Sequence, residues 1–171
     1  MLYQLISKLN SARPLPTVSA HCDVPCGIYD PIPAQIAAMT VARMTDTLVE
    51  LEEHEKSAHD SNRDHHYANK LSRMVSEKER SASIVKEEVH IIWGDFFKPN
   101  HFEGNPAIHT ICHEVMMIAS KCKQNIDVEA SRMLVEKTNE FARLFWDAKG
   151  IKHKEVTYHC KPGLKITMPE L

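Results

Sequence analysis

Apolar positions along most of the chain recur at intervals of three and four, the spacing that lines side chains along one face of an α-helix. The first stripe is Ala37, Val41, Met44, Leu48 and Leu51, on a helix expected over residues 34–56. The polar run Ser57 to Asn62 interrupts it. Leu71, Met74, Ala82, Val85, Val89 and Ile92 then mark a long second helix, with Lys78 as a flaw in its apolar face and Gly94 and Pro99 as its end signals. A third helix, entered after Pro106, carries Ile108, Ile111, Val115, Ile118 and Cys122; proline is tolerated there because the first N–H groups of a helix have no partner inside it. The fourth has Asp127 as its cap, Ala130, Leu134, Phe141, Phe145 and Ala148 along its face, and Gly150 as its stop. Four such stripes joined by short connections are buried most simply against one another. The pattern predicts an all-α protein, an antiparallel up-and-down four-helix bundle over residues 34–148.

Both ends depart from this pattern. Residues 1–20 contain Lys8 and Arg13 but no acidic residue, and close on Pro14-Leu15-Pro16-Thr17-Val18-Ser19-Ala20. They read as a leader, with three readings open: a secretory signal, although Gln4, Ser7 and Lys8 interrupt its apolar stretch; an organelle transit peptide; or a propeptide removed by a protease. Residues 149–171 form a tail in which Val156-Thr157-Tyr158 and Lys165-Ile166-Thr167 suit an extended chain or a segment packed on a neighbour.

Composition narrows the class. The 171 residues suit one domain with its own core, and no apolar run approaches the roughly 20 residues needed to cross a bilayer, so no membrane role is expected. The net charge is −2, with Lys and Arg interspersed among Asp and Glu, which argues against a nucleic-acid partner. Five cysteines without regular spacing fit a reducing, cytoplasmic setting. Five glycines leave little room for a glycine-rich nucleotide loop.

The densest chemistry lies between leader and bundle, in His21-Cys22-Asp23-Val24-Pro25-Cys26-Gly27-Ile28-Tyr29-Asp30-Pro31. Pro25 biases Val24 away from helical angles and Gly27 permits a tight turn, so residues 21–33 read as a hook that folds two thiols toward each other. Thiolate and imidazole hold late first-row metals. The plainer alternative is a turn that happens to carry two thiols. His109 and His113, four apart, share a helix face on which zinc can bind, but without a third ligand they read as a solvated or interface pair. Cys112 and Cys122 read as core thiols, and Met39, Met44, Met74, Met116, Met117 and Met133 as packing residues.

The run from His21 to Pro31 resembles the nickel hook of nickel-dependent superoxide dismutases. A second run, Ile92-Trp93-Gly94-Asp95-Phe96-Phe97-Lys98-Pro99-Asn100-His101-Phe102-Glu103, is similar to another segment of that family. The resemblance covers about residues 21–148. It implies disproportionation of superoxide by nickel cycling between its divalent and trivalent states, with one nickel per subunit. The implied equatorial ligands are the Cys22 and Cys26 sulfurs, the Cys22 backbone nitrogen and the free amine of His21, with the His21 imidazole axial. It further implies Tyr29 as a gate over the metal, Asp23 as a residue shaping the pocket, a homohexamer of four-helix bundles, and a protease that removes the leader to free His21. Three positions depart from the family pattern: Ala37 stands where a glutamate holds the axial imidazole, Arg80 matches a supporting arginine with a one-residue gap, and Phe96 replaces a frequent tyrosine. The competing class is a nickel or zinc carrier that uses the same hook without turnover; a structural bundle with incidental cysteines is the third.

Overall fold

The computed structural model describes residues 27–56 and 64–170. Four long helices carry the expected stripes: α1 (Ile32–Lys56), α2 (Asp64–Ile91), α4 (Ala107–Gln124) and α5 (Val128–Ala148). Between α2 and α4 run a π-helical turn, Ile92–Phe96, and a short helix α3 (Pro99–Gly104). α1 packs on α2 and α5, and α4 packs on the same two, which closes a four-membered ring around the core. Val41, Val85, Val89, Val115, Leu134, Phe141 and Phe145 are fully buried at its centre. None of the helices among the described residues is long and apolar enough to cross a membrane.

The helix starts follow local chemistry. Asp30 accepts the Ile32 backbone N–H on Oδ1 at 2.8 Å and opens α1. At α5 Asp127 accepts the Ala130 N–H on Oδ1 at 2.9 Å and pairs with Lys121 at 2.7 Å. The Ala130 N–H first, and then Lys121, hold the Asp127 carboxyl below the usual carboxylate range.

Lys78 is the expected flaw in the α2 stripe, and its burial has a structural cause. The side chain is only 2% exposed. Its Nζ crosses to the end of α4 and donates to the carbonyl oxygens of Cys122, of Lys123 at 3.2 Å and of Asn125 at 2.9 Å. The last carbonyls of a helix have no partner within it, so a lysine from α2 closes α4. Burial pushes the Lys78 pKa down. Lys78→Met keeps the apolar stem and orphans these carbonyls, and it is expected to cost about 1–3 kcal/mol of unfolding free energy. The reading would be a lower urea midpoint at unchanged slope. An unchanged midpoint would mean that water satisfies the carbonyls equally well.

Two features differ from the sequence reading, and a third, the extended tail, is made specific by the structure. The second helix does not simply stop near Gly94: Phe97 donates to the Ile92 carbonyl at 3.3 Å, the five-residue span of a π turn, and Pro99 starts a helix of its own. Met117 and Met133, expected as packing residues, are 58% and 41% exposed, whereas Met39 is buried. The tail is a β-hairpin, β1 (His153–Thr157) antiparallel to β2 (Lys165–Pro169), with His153 opposite Pro169 and Thr157 opposite Lys165. It lies on the bundle, where Ile166 and Thr167 are fully buried.

Candidate functional site

His21, Cys22, Asp23 and Cys26 lie outside the described residues, as does the leader, so the site is built here from its root. Gly27 has φ +83°, a left-handed conformation that a side chain would strain, which fits a turn closing the loop. Ile28 stands 77% exposed. Tyr29 is half-buried, and its ring lies 6.0 Å from that of Phe96, inclined by 59°. Pro31 is buried and its carbonyl accepts the Gln35 N–H at 3.1 Å, so the chain leaves the loop directly into the first turn of α1.

The wall that Tyr29 meets is made by the π turn and α3. Phe96 packs on Phe145 at 4.6 Å and stacks on His101 at 5.5 Å, with planes 10° apart. The His101 Nδ1 accepts the Lys98 backbone N–H at 3.0 Å, which fixes the ring. Behind it, Trp93 donates from Nε1 to His109 Nδ1 at 3.0 Å, and Phe102 stacks on the same imidazole at 4.1 Å. His109 therefore serves the aromatic cluster, while His113 is exposed. Phe145 and Trp146 were not singled out as site residues from sequence; the apolar stripe of α5 identified Phe145 only as core. Lys149 stands over both rings, at 5.2 and 5.9 Å from their centres.

Ala37, buried, lines a shallow cavity of about 360 Å³ between α1 and α2, together with Ile32, Pro33, Glu77, Arg80 and Ser81. Arg80 turns to its own helix and donates to Glu77 from Nη2 at 2.7 Å and Nε at 3.0 Å. That guanidinium holds the Glu77 carboxyl below the usual range, and the Ser81 hydroxyl adds a bond at 3.2 Å. Glu77 is the carboxylate that this cavity brings beside Ala37, and the sequence reading did not single it out.

The other thiols divide clearly. Burial pushes Cys112 up to about 12 and Cys122 up to about 11, so both stay protonated and unreactive at neutral pH. Cys160 is exposed on the hairpin turn. Among the described residues no group of three or more His, Cys, Asp or Glu is arranged to hold a metal.

Residues 16–149 match the family described as nickel-containing superoxide dismutase. The chain is 33% identical over 132 residues to the superoxide dismutase [Ni] of Streptomyces seoulensis, covering 77% of this chain and 90% of that protein. Against the superoxide dismutase [Ni] of Streptomyces coelicolor the identity is 33% over 136 residues, covering 80% and 93%. A native crystal structure of nickel superoxide dismutase superposes with a TM-score of 0.61 at 29% identity, over 75% of this chain and 99% of that one. A structure with nickel ligation of the oxidised state gives 0.62 at 30% identity, over 76% and 99%.

Proposed function

The chain belongs to the nickel-containing superoxide dismutase family, and from that premise we propose that His21, Cys22 and Cys26 hold the nickel. Its activity is the conversion of two superoxide ions and two protons to dioxygen and hydrogen peroxide, with nickel as cofactor. The observation that carries the site assignment is the meeting of two motifs far apart in sequence: Tyr29, at the root of the hook, packs against Phe96 of the Trp93–Glu103 segment. A carrier needs ligands but no wall and no hydroxyl above them.

The donor set fits the metal. Nickel, when bound, supplies one-electron chemistry between two oxidation states, and anionic thiolates bring that couple into a usable range. The hook thiols must lose their protons to ligate, which Cys112 and Cys122 are held from doing by burial. Tyr29 places a hydroxyl at the mouth, where it orders water or product and excludes larger anions. Phe96, wedged among Phe145 and His101, contributes no second hydroxyl there, so the gating falls to Tyr29. Asp23 shapes the loop. Arg80, through its pair with Glu77 beside Ala37, is assigned the supporting role on the α2 side.

The deciding experiment is superoxide consumption by nickel-loaded protein lacking residues 1–20; stoichiometric nickel without turnover would make it a carrier. Tyr29→Phe should keep its nickel and become several-fold more sensitive to azide. Equal inhibition of variant and parent would remove Tyr29 from the gate.

The same reading extends to assembly and location. A homohexamer is proposed, with Ile28 and Ile36, 77% and 42% exposed beside the hook root, as apolar residues for subunit contact. The free thiols Cys112, Cys122 and Cys160 fit a cytoplasmic setting, where a protease would remove the leader.

A further inference from the structure

The family match ends at residue 149, and the β-hairpin lies beyond it. Its strand β2 is docked by two side-chain amides from different helices. Gln35 of α1, 1% exposed, donates from Nε2 to the Thr167 carbonyl at 3.0 Å and accepts the Thr167 N–H on Oε1 at 2.8 Å. The side chain thus pairs with both backbone groups of one strand residue, as a neighbouring strand would. Asn139 of α5 donates from Nδ2 to the Lys165 carbonyl at 2.8 Å and shares the Thr167 N–H through Oδ1 at 3.3 Å, while the Thr167 hydroxyl donates to the Asn139 carbonyl at 3.3 Å. Outside this grip, Arg143 pairs with Glu155 at 3.1 Å and His153 with Asp147 at 3.1 Å, tying β1 to the end of α5.

What the grip fixes is the first turn of α1. Gln35 donates its own backbone N–H to Pro31, the last residue of the hook motif. Helix ends fray unless something holds them, and this end carries the metal-binding loop. A buried amide whose partner moves away is left unsatisfied, so the two bonds of Gln35 strongly oppose separation of α1 from β2. Resting on the nickel-site reading above, we infer that the hairpin is a strap: it clamps the first turn of α1 against α5 and so sets where Tyr29, at the root of the hook, stands relative to the Phe96–Phe145 wall. Gln35 and Asn139 are positioning residues, and neither touches the reacting atoms.

The test compares Gln35→Met, which keeps side-chain length and removes both amide bonds, with Asp46→Ala. The second variant breaks another α1–α5 tie, the two-pronged Arg132–Asp46 pair at 2.8 and 2.9 Å, about 16 Å further along α1. Amide hydrogen exchange is recorded on the full, metal-free chain. Gln35→Met is expected to speed exchange at residues 32, 34, 35 and 36 at least tenfold, and Asp46→Ala to leave those amides unchanged. Asn139→Leu, which frees the strand from the other side, should reproduce the Gln35→Met pattern if that variant folds poorly. In nickel-loaded protein cut after Ala20, Gln35→Met should broaden the nickel(III) paramagnetic resonance signal while Asp46→Ala leaves it sharp. Parent-like exchange in the first turn, or equal broadening in both variants, would overturn the strap. The exchange arm needs no metal, so a failure of the nickel-site reading shows itself separately, as parent protein without the resonance signal.

Discussion

Cys22→Ser and Cys26→Ser are each expected to reduce superoxide turnover to the background of the metal-free protein. A serine hydroxyl has the size to stand in the hook but not the acidity or softness to replace a thiolate on nickel, so each variant loses one of the sulfur donors that bring the redox couple into range. The fold should not notice. Among the described residues the core begins at Ala34 and runs through α1, α2, α4 and α5, with Ile92, Phe97 and, from the hairpin, Ile166 added. Metal-free parent and variants are therefore expected to unfold within about 0.5 kcal/mol of one another, the scatter of substitutions away from structural features. Urea melts and nickel content should be measured beside turnover. A nickel-loaded Cys22→Ser or Cys26→Ser chain that keeps near-parent turnover would move the metal site elsewhere.

The leader gives the second large effect, and it follows from donor chemistry. While Ala20 is attached, the nitrogen of His21 is an amide whose lone pair is delocalised into the carbonyl, so it cannot act as a neutral amine donor. Cutting after Ala20 creates an α-amine with a pKa of about 7.7–8.0, low enough for a metal to displace its proton near neutral pH. Removal of Lys8 and Arg13 with the leader also takes the net charge from −2 to −4. Nickel content and turnover should be compared for the uncut chain, for residues 21–171, and for residues 21–171 preceded by one extra alanine. Only the second is expected to be active. Equal activity in all three would rule out the amine as a ligand. Activity in the second and third but not the first would assign the leader a blocking role in place of a chemical one.

The sequence disclosed the four long helices because a 3.6-residue period survives in any segment that buries one face, and the boundaries at Asp127 and Gly150 followed from capping chemistry. It did not disclose what Lys78 was for. A lysine in an apolar stripe is a flaw until α4 is seen to end opposite it, more than forty residues away in sequence. The extended character of the tail was legible in Val156-Thr157 and Lys165-Ile166, but its docking was hidden for a related reason: β2 is seated by Gln35 and Asn139, side chains that carry no strand signal in their own helices. For the site, the hook residues were legible as a motif, since their chemistry is local. The contact of Tyr29 with Phe96, and the pairing of Arg80 with Glu77 beside Ala37, depend on how helices lie against each other, which spacing alone does not determine.

The π turn at Ile92–Phe96 has a consequence for how the wall tolerates change. An α-helix advances about 100° per residue, so one residue of slack in the ladder rotates everything after it by that amount relative to the helix before it. Phe96 and Phe97 face the bundle and the hook root only with that extra residue present, while the stripe of α2 up to Val89 stays aimed at the core. Shortening this stretch by one residue would preserve every aromatic side chain and still swing Phe96 away from both Tyr29 and Phe145. The local residue count between Val89 and Phe96 is thus as much a part of the site as the residues themselves, and substitutions there should be far better tolerated than insertions or deletions.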